Sequence, residues 1–407
     1  MDQQIVIAGV DTHKDTHYAA VITATGQRLG AAEFRTTPAG YEALAVFIAG
    51  FGALAKVGVE GTGSYGAGLT RHLTATGVTV LEVLRPTRQV RRMRGKSDEI
   101  DAYAAAETAL AGTNCSTPKD RNGHAEAARV VSIARRSAVT GRKDAMLQIR
   151  DVLVTAPDVI RSKYRTLQGK SLITALAKTR LGAHDDVTVA HTLTVLRCLA
   201  RRVQHLEGEI VDHDKTLLDL VRQINPALIQ TTGIGIVSAA DLIVAAGDNP
   251  DRITSEGAFA ALCGTSPVPA SSGKTIRHRL NRGGNRTANC ALHRIAVVRL
   301  HTDQRTRAYA AKLKAAGRTS KEILRCLKRA IAREVYHLLV NPPAAIDTSQ
   351  LRPIRQALAL TIETVARDLH WSMATVSLIE RGHSSNRTVL TTYRDYLTNR
   401  QTTVCAI

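Results

Sequence analysis

Two short stretches decide how this chain is read: residues 5–17, IVIAGVDTHKDTH, and residues 56–60, KVGVE, each an apolar run that stops on an acid, Asp11 in the first and Glu60 in the second. Outward from them, Ile5–Val10, Tyr18–Thr23 and Arg28–Phe34 read as strands, and Ala39–Ala49 has the period of a helix. Lys56–Val59 and Val78–Leu84 read as further strands, separated by a helix over Tyr65–Thr76 and followed by another over Ser97–Ala111.

Three strands followed by alternating helix and strand is the element order of a ribonuclease-H-like (RuvC-like) α/β domain, expected over residues 1–120. In an open α/β sheet functional groups gather beyond the carboxyl ends of the strands, which is where Asp11 and Glu60 fall. Asp98 and Asp101, in KSDEIDA at a helix start, are three apart and share a helix face, so four acids converge. Without cations such acids repel one another; with Mg²⁺ they make an oxygen-ligand site suited to phosphoryl transfer. A lone Asp at a helix start is commonly an N-cap, an assignment harder to make for four acids together. His13 and His17, four apart, are either metal ligands or, more simply, hydrogen-bonding residues of the loop after Asp11. Just before the Ser97 helix, in RPTRQVRRMRGK, Arg85, Arg88, Arg91, Arg92, Arg94 and Lys96 meet no acid, which suits a nucleic-acid backbone led towards the acidic cluster.

The whole chain leans the same way. Its 407 residues carry 55 Lys+Arg against 35 Asp+Glu, a formal charge of +20 that calls for a polyanionic partner. At 44% hydrophobic it can bury two or three cores, which excludes wholesale disorder. With 3% aromatic residues, charge rather than base stacking must supply most of the grip. Six cysteines without a C-x-x-C pair fit neither a zinc ribbon nor a disulfide framework and suggest a reducing cytosol. The first ten residues lack a signal-peptide pattern and no run is long enough to span a bilayer, so a soluble, cytoplasmic, nucleoid-associated protein with no membrane partner is expected.

Residues 121–225 read as helical. Leu196, Leu199, Val203, Leu206, Ile210, Leu217 and Leu220 form a seam broken by His213, a coiled-coil edge that needs a partner helix from Ala127–Val154 or from a second protomer. Within a mainly helical region over residues 226–340, Gly233 and Gly235 in LIQTTGIGIVSAADLIVAA mark a tight turn between two short helices. Such a hairpin is either a plain connection or a place for a phosphate. Between Ser271 and His337 there are 17 Lys+Arg and three acids, a net of +14. That segment opens with SSGKTIRHRLNRGGNR, where serines on a Gly-flanked loop stand among Lys274, Arg277, Arg279, Arg282 and Arg286. Such a loop is a flexible linker, or a hydroxyl placed to attack a phosphodiester while guanidiniums hold the developing charge. Asn341-Pro342-Pro343 then breaks the helix before a small appended segment.

GVDTHKDTH at Gly9–His17, VEGTGSYG at Val59–Gly66, KSDEIDAYA at Lys96–Ala104, TGIGIVSA at Thr232–Ala239 and SSGKTIRHRLNRGGNRTAN at Ser271–Asn289, in this order, resemble the DEDD transposases of the insertion-sequence 110 family. The resemblance runs from about Ile5 to Leu339 and implies a RuvC-like domain, a coiled-coil middle and a transposase domain. It makes Asp11, Glu60, Asp98 and Asp101 a metal-binding catalytic set and Ser272, with Ser271 as fallback, the nucleophile that bonds to DNA. It also implies a structured noncoding bridge RNA as guide, double-stranded DNA at the element ends and target site, and dimers joined into a tetramer that combine one copy's acids with another's serine. Over residues 349–400 the tail departs from that pattern and resembles a lambda-repressor-like helix-turn-helix, with a helix at Pro353–Leu358, then TIETVARDL, a turn at His370-Trp371, and SMATVSLIERG capped by Ser372. Thr375, Ser377 and Arg381 are its groove-facing candidates, and His370 stands where such turns often have glycine. Two other functions fit the same residues: a RuvC-like structure-selective endonuclease or resolvase with the serine loop merely structural, and a DNA-binding regulator working through its tail.

Overall fold

The computed structural model describes residues 4–84, 97–182, 186–273, 278–382 and 387–405. The basic run from Arg85 to Lys96, and Lys274 and Arg277 of the serine segment, lie outside the described residues. The chain divides into two units, Met1–Gly123 with Ala246–Thr254, and His124–Ala245 with Ser255–Ile407.

The first unit is built on a six-stranded sheet of order β3-β2-β1-β4-β5-β6. Its strands are β1 (Ile5–Thr12), β2 (Thr16–Thr23), β3 (Arg28–Arg35), β4 (Ala53–Glu60), β5 (Val80–Val83) and β6 (Cys115–Ser116). β1, β2 and β3 pair antiparallel, β1–β4 and β4–β5 parallel, and β5–β6 antiparallel. The parallel pairs require crossovers: α1 (Pro38–Ala49), entered through Thr37, whose hydroxyl accepts from Gly40 N at 3.1 Å, and α2 (Ala67–Ala75). Alternation along the strands separates two layers. Val6, Ala8, Val10, Val57 and Val59 meet Leu44 and Ile48 of α1 and Leu69 and Leu73 of α2, while Ile7, Ala20 and Ile22 meet α3 (Asp98–Ala111) through Ala102, Tyr103 and Ala106. β1 runs two residues past its apolar run, so Asp11 lies inside the strand rather than beyond it. The two-residue β6 is too short for any sequence pattern to announce.

The second unit is helical. α4 (His124–Thr155) and α7 (Val187–Ile224) lie along one another, with α5 (Asp158–Tyr164) and α6 (Gly169–Ala177) closing the end of the pair. The seam leucines of α7 therefore find their partner helix in the same chain. Leu196, Val203 and Leu217 are buried, and Arg135 of α4 grips Asp214 of α7 through Nε at 2.5 Å and a second nitrogen at 3.2 Å. α8 (Pro226–Ile229) and α9 (Ile236–Ala246) flank the Gly233 turn. α10 (Glu256–Leu262), the short ladder β7 (Val268–Pro269) and β8 (His278–Arg279), and α11 (Arg286–Thr302), α12 (Gln304–Ala315) and α13 (Ser320–Val340) follow.

The stretch after Asn341 is docked: Gln230 Nε2 donates to Ile346 O at 2.9 Å and its Oε1 accepts from Ile346 N at 3.1 Å. α14 (Leu351–Ala357), α15 (Ile362–Asp368), α16 (Met373–Glu380) and α17 (Arg387–Cys405) then enclose a core containing Val365, Ala366, Val376, Ile379, Leu390 and Tyr393. His370 takes the left-handed conformation, φ +54°, that glycine usually supplies, at the bend between α15 and α16. Inside this tail a buried Arg355 donates to both Glu380 oxygens, at 2.6 and 3.1 Å, and Tyr393 Oη donates to the same carboxylate at 2.7 Å. Burial pushes Glu380 up, but these donors outweigh it and hold its carboxyl below the usual range, while burial and the Glu380 contact push the Tyr393 hydroxyl up. A depressed folded value means the stabilisation is complete above the unfolded glutamate pKa and is lost as pH falls through the lower folded value. Glu380→Gln should cost the tail about 3 kcal/mol at neutral pH, because Arg355 is left without its counter-charge. Urea unfolding followed by the fluorescence of Trp371, the only tryptophan, reads this directly, and the difference from wild type should shrink below about pH 4.

Candidate active site

The geometry of the acids starts with two glycines. β1 and β4 pair in parallel with Gly9 opposite Gly58 and Val10 opposite Val59. Since the valines face α1 and α2, Gly9, Asp11, Gly58 and Glu60 face α3. A Cβ on Gly9 would lie 2.1 Å from Ala106 N and 2.2 Å from Ala102 O, and one on Gly58 2.6 Å from Ala105 O. The helix backbone thus rests on the strand backbones, and only glycine permits it. Two residues further along each strand, on that same face, come Asp11 and Glu60, near the N-terminal turn of α3 that carries Asp98 and Asp101.

Asp11, Glu60 and Asp101 are 2%, 4% and 7% exposed. Asp98 is half exposed, and His13 Nε2 lies 3.2 Å from both Asp11 Oδ2 and Asp98 Oδ1. Asp11, His13 and Asp98 thus offer three ligand atoms within 4.8 Å of one another. Glu60 and Asp101 are not part of that group; Glu60 shares the sheet face of Asp11 by register, and its carbonyl accepts from Thr12 Oγ1 at 2.8 Å. The N-cap of α3 is Ser97, which accepts from Ile100 N at 3.2 Å, so capping does not account for the aspartates. The positive end of the helix dipole favours acids in that first turn. The two histidines part company: His17 is fully buried, stacked on Tyr41 at 5.7 Å, with Nδ1 3.1 Å from Thr16 O, and burial lowers its pKa below the usual histidine value.

In the second unit, Ser271, Ser272 and Gly273 sit on the loop between β7 and β8, all three exposed, with Gly273 at φ +53°. Both ends of this hairpin are locked together. Gly264 and Gly284, both at positive φ, touch so closely that a Cβ on Gly284 would lie 2.6 Å from Gly264 N. Asn285 N donates to Leu262 O at 2.6 Å, and Asn289 Nδ2 to Cys263 O at 2.7 Å. Arg279, Arg282 and Arg286 are exposed around it. Gly233 turns at φ +79° over Arg299, a buried arginine that donates to Thr232 O at 2.7 Å and to Glu334 at 2.6 and 3.2 Å; Gly235 is exposed. Nothing in the helical pattern around Arg299 singled it out, because its partners come from a turn and a helix distant in sequence. In the tail, Thr375 Oγ1 is 2.9 Å from Ser372 Oγ in the cap of α16, Arg381 Nε donates to Ser377 O at 3.2 Å, and Ser377 is half-buried.

Comparison with known proteins agrees with this layout. Residues 8–156 match the profile of the DEDD transposases of IS110, and residues 225–311 that of the transposase IS116/IS110/IS902 family. The chain belongs to the IS110 family of transposases. It is 26% identical over 406 residues to a 42 kDa protein of insertion element IS900 from Mycobacterium paratuberculosis, covering 84% of this chain and all of that one. It is 29% identical over 145 residues to a 43.6 kDa protein of insertion element IS110 from Streptomyces coelicolor, 35% of this chain and 34% of that one. An IS110-family transposase is a DNA recombinase acting by phosphoryl transfer, and the family points to a divalent metal. No helix among the described residues of this transposase is long and apolar enough to cross a membrane. Its carboxylate-rich cluster suits a hard cation. Mg²⁺ at about a hundredfold excess over its dissociation constant should stabilise the first unit by about 2.7 kcal/mol. Asp11→Asn should remove that gain in a calorimetric titration, and Gly9→Ala, by lifting α3 off the sheet, should remove it together with about 1–3 kcal/mol of stability.

Proposed function

We propose that this transposase cuts and rejoins DNA strands with Ser272 as nucleophile and with Asp11, Glu60, Asp98 and Asp101 as the metal-holding set, guided by a structured noncoding RNA. The observation that supports the reading is the pair of Gly-Val-acid strand segments in register, with Asp11 and Glu60 on the sheet face that packs against α3. The sheet order, with the first three strands antiparallel and β1, β4 and β5 parallel, supports a ribonuclease-H-like domain, a fold often met in polynucleotide chemistry. Asp11, Glu60, Asp98 and Asp101 would hold a divalent cation, which when bound would supply Lewis-acid stabilisation to the phosphoryl oxygens. His13, in contact with both Asp11 and Asp98, adds a nitrogen donor that Mn²⁺ accepts more readily than Mg²⁺.

The step at Ser272 is a transesterification. Its Oγ attacks phosphorus, the Oγ–P bond forms as the strand's P–O bond breaks, the serine proton passes to a base, and the leaving strand end takes up a proton as a hydroxyl. Exposure of Ser272 on a hairpin whose ends are pinned fits a nucleophile that must reach a bulky polymer. Arg279, Arg282 and Arg286, with Lys274 and Arg277 of the same loop, neutralise the phosphate, and the run from Arg85 to Lys96 leads the backbone in. Acids of one copy work with the serine of another in a dimer of dimers. The Gly233–Gly235 hairpin contributes backbone amides to a phosphate, and the tail is a helix-turn-helix that meets DNA through Thr375 and Ser377 of α16 and Arg381 at its C-terminal cap.

Covalent trapping tests the reading. Incubated with element-end DNA and guide RNA, wild type should give a protein–DNA adduct that survives denaturation, and Ser272→Ala and Asp11→Ala should each reduce it by at least about 10³-fold. Free DNA ends with no adduct, produced equally well by Ser272→Ala, would identify a RuvC-like endonuclease instead.

A further inference from the structure

We infer that the cavity at the foot of the serine hairpin is a binding site for one unstacked nucleotide of a DNA strand, its phosphate on arginine and its base against Tyr309. The inference deepens the proposed strand-cleavage reading and rests on it only for the choice of polymer. The cavity encloses about 400 Å³, far more than an inorganic anion fills. Among the described residues five cations line it and no acid does: Arg279 from β8, and Arg325, Lys328, Arg329 and Arg333 along α13. Positions 325, 329 and 333 are spaced by four, so they form a single ridge facing the hairpin.

The cations are not equivalent. Lys328 Nζ is held by Asn289 Oδ1 at 2.5 Å, Arg329 donates to the Glu256 carbonyl at 3.1 Å, and Arg333 lies 2.9 Å from the Glu256 carboxylate. Those three are already committed to bracing α10 and α11. Among the described residues no side-chain hydrogen bond or ion pair engages the guanidiniums of Arg279 and Arg325, though Arg325 interacts electrostatically with Glu322 one turn back, so these two are the guanidiniums best placed to receive a phosphate. The rest of the lining mixes apolar side chains, Pro267, Leu280 and Ala330, with the polar Thr265, Ser266, His278 and Asn281, and Tyr309 of α12 opens onto it with 43% of its surface exposed. Cations beside an aromatic face and an apolar wall suit a base that has left its stack. In a chain with only 3% aromatic residues, a tyrosine on the wall of a cationic cavity is not the expected surface choice. Pro267 and His278 bracket the loop that carries Ser272, so a nucleotide held here is a near neighbour of the one whose phosphate the serine attacks.

Photo-crosslinking with the full-length protein tests the inference. A single-stranded DNA oligonucleotide carrying 5-iodo-deoxyuridine should crosslink to the peptide containing Tyr309, identified by mass spectrometry. Unlabelled single-stranded DNA should compete more strongly than the same sequence as a duplex. Tyr309→Phe should retain the adduct and Tyr309→Ala should lose it. Arg279→Ala combined with Arg325→Ala should lower its yield by about tenfold, the loss of one to two charge-assisted contacts. A yield indifferent to those two arginines, adducts mapping elsewhere, or preferential crosslinking of the matching 5-iodouridine RNA overturns the inference. Normal Ser272-dependent adducts in a protein that never crosslinks at Tyr309 would sink the pocket alone. Crosslinking at Tyr309 in a protein that forms no Ser272 adduct would leave the pocket and sink the serine chemistry.

Discussion

Everything at the acidic site depends on the contact of one helix backbone with two strand backbones. Where α3 crosses Gly9 and Gly58 there is no room for a single extra carbon. That approach fixes the height of the helix above the sheet and its position along the strands. It therefore fixes where the first turn of α3 lies relative to the next inward-facing residues, Asp11 and Glu60. The arrangement has a cost: three carboxylates, Asp11, Glu60 and Asp101, are almost wholly removed from water. Buried acids cost folding free energy unless hydrogen bonds, dipoles or cations compensate them. The α3 N-terminus and the His13 contact offset part of it, and a bound cation would offset far more.

The second unit uses the same device for a different end. Gly264 and Gly284 permit a backbone contact that closes the base of the serine hairpin, and Asn285 and Asn289 stitch it shut. A long polar loop pinned this way keeps an exposed hydroxyl on a defined base. Arg299 performs the equivalent service for the Gly233 turn, tying it to Glu334 of α13. Both glycine turns and the cationic cavity thus share α13, whose apolar side, Ile323, Leu327, Ile331 and Val335, is buried while its basic side faces outward.

Some of this was legible early. Glu60 at the end of β4, the helix starting at Ser97 and the Ser372 cap follow from local rules of period and capping, and each lies where those rules put it, whereas Asp11 falls inside β1. The rest escaped for specific reasons. His13 reads as a loop histidine until Asp98, far along the chain, arrives beside it. The seam on α7 demanded a partner helix without saying which, because α4 of the same chain and a second copy satisfy the same hydrophobic pattern. His370 stood in place of a glycine, yet its backbone takes positive φ all the same, with Trp371 N donating to Ala366 O at 2.7 Å to close the helix end.

By itself, then, the amino-acid order determined the kinds of element, their succession, the excess of positive charge and the acids and serines available for chemistry, since these depend on side-chain size, polarity and spacing within a few turns of chain. Which residues meet was decided in three dimensions. The grouping of Asp11, His13 and Asp98, the engagement of three of the five cavity cations and the brace at Arg299 all depend on contacts between segments tens of residues apart. Only the packing of whole helices and strands against one another sets those distances.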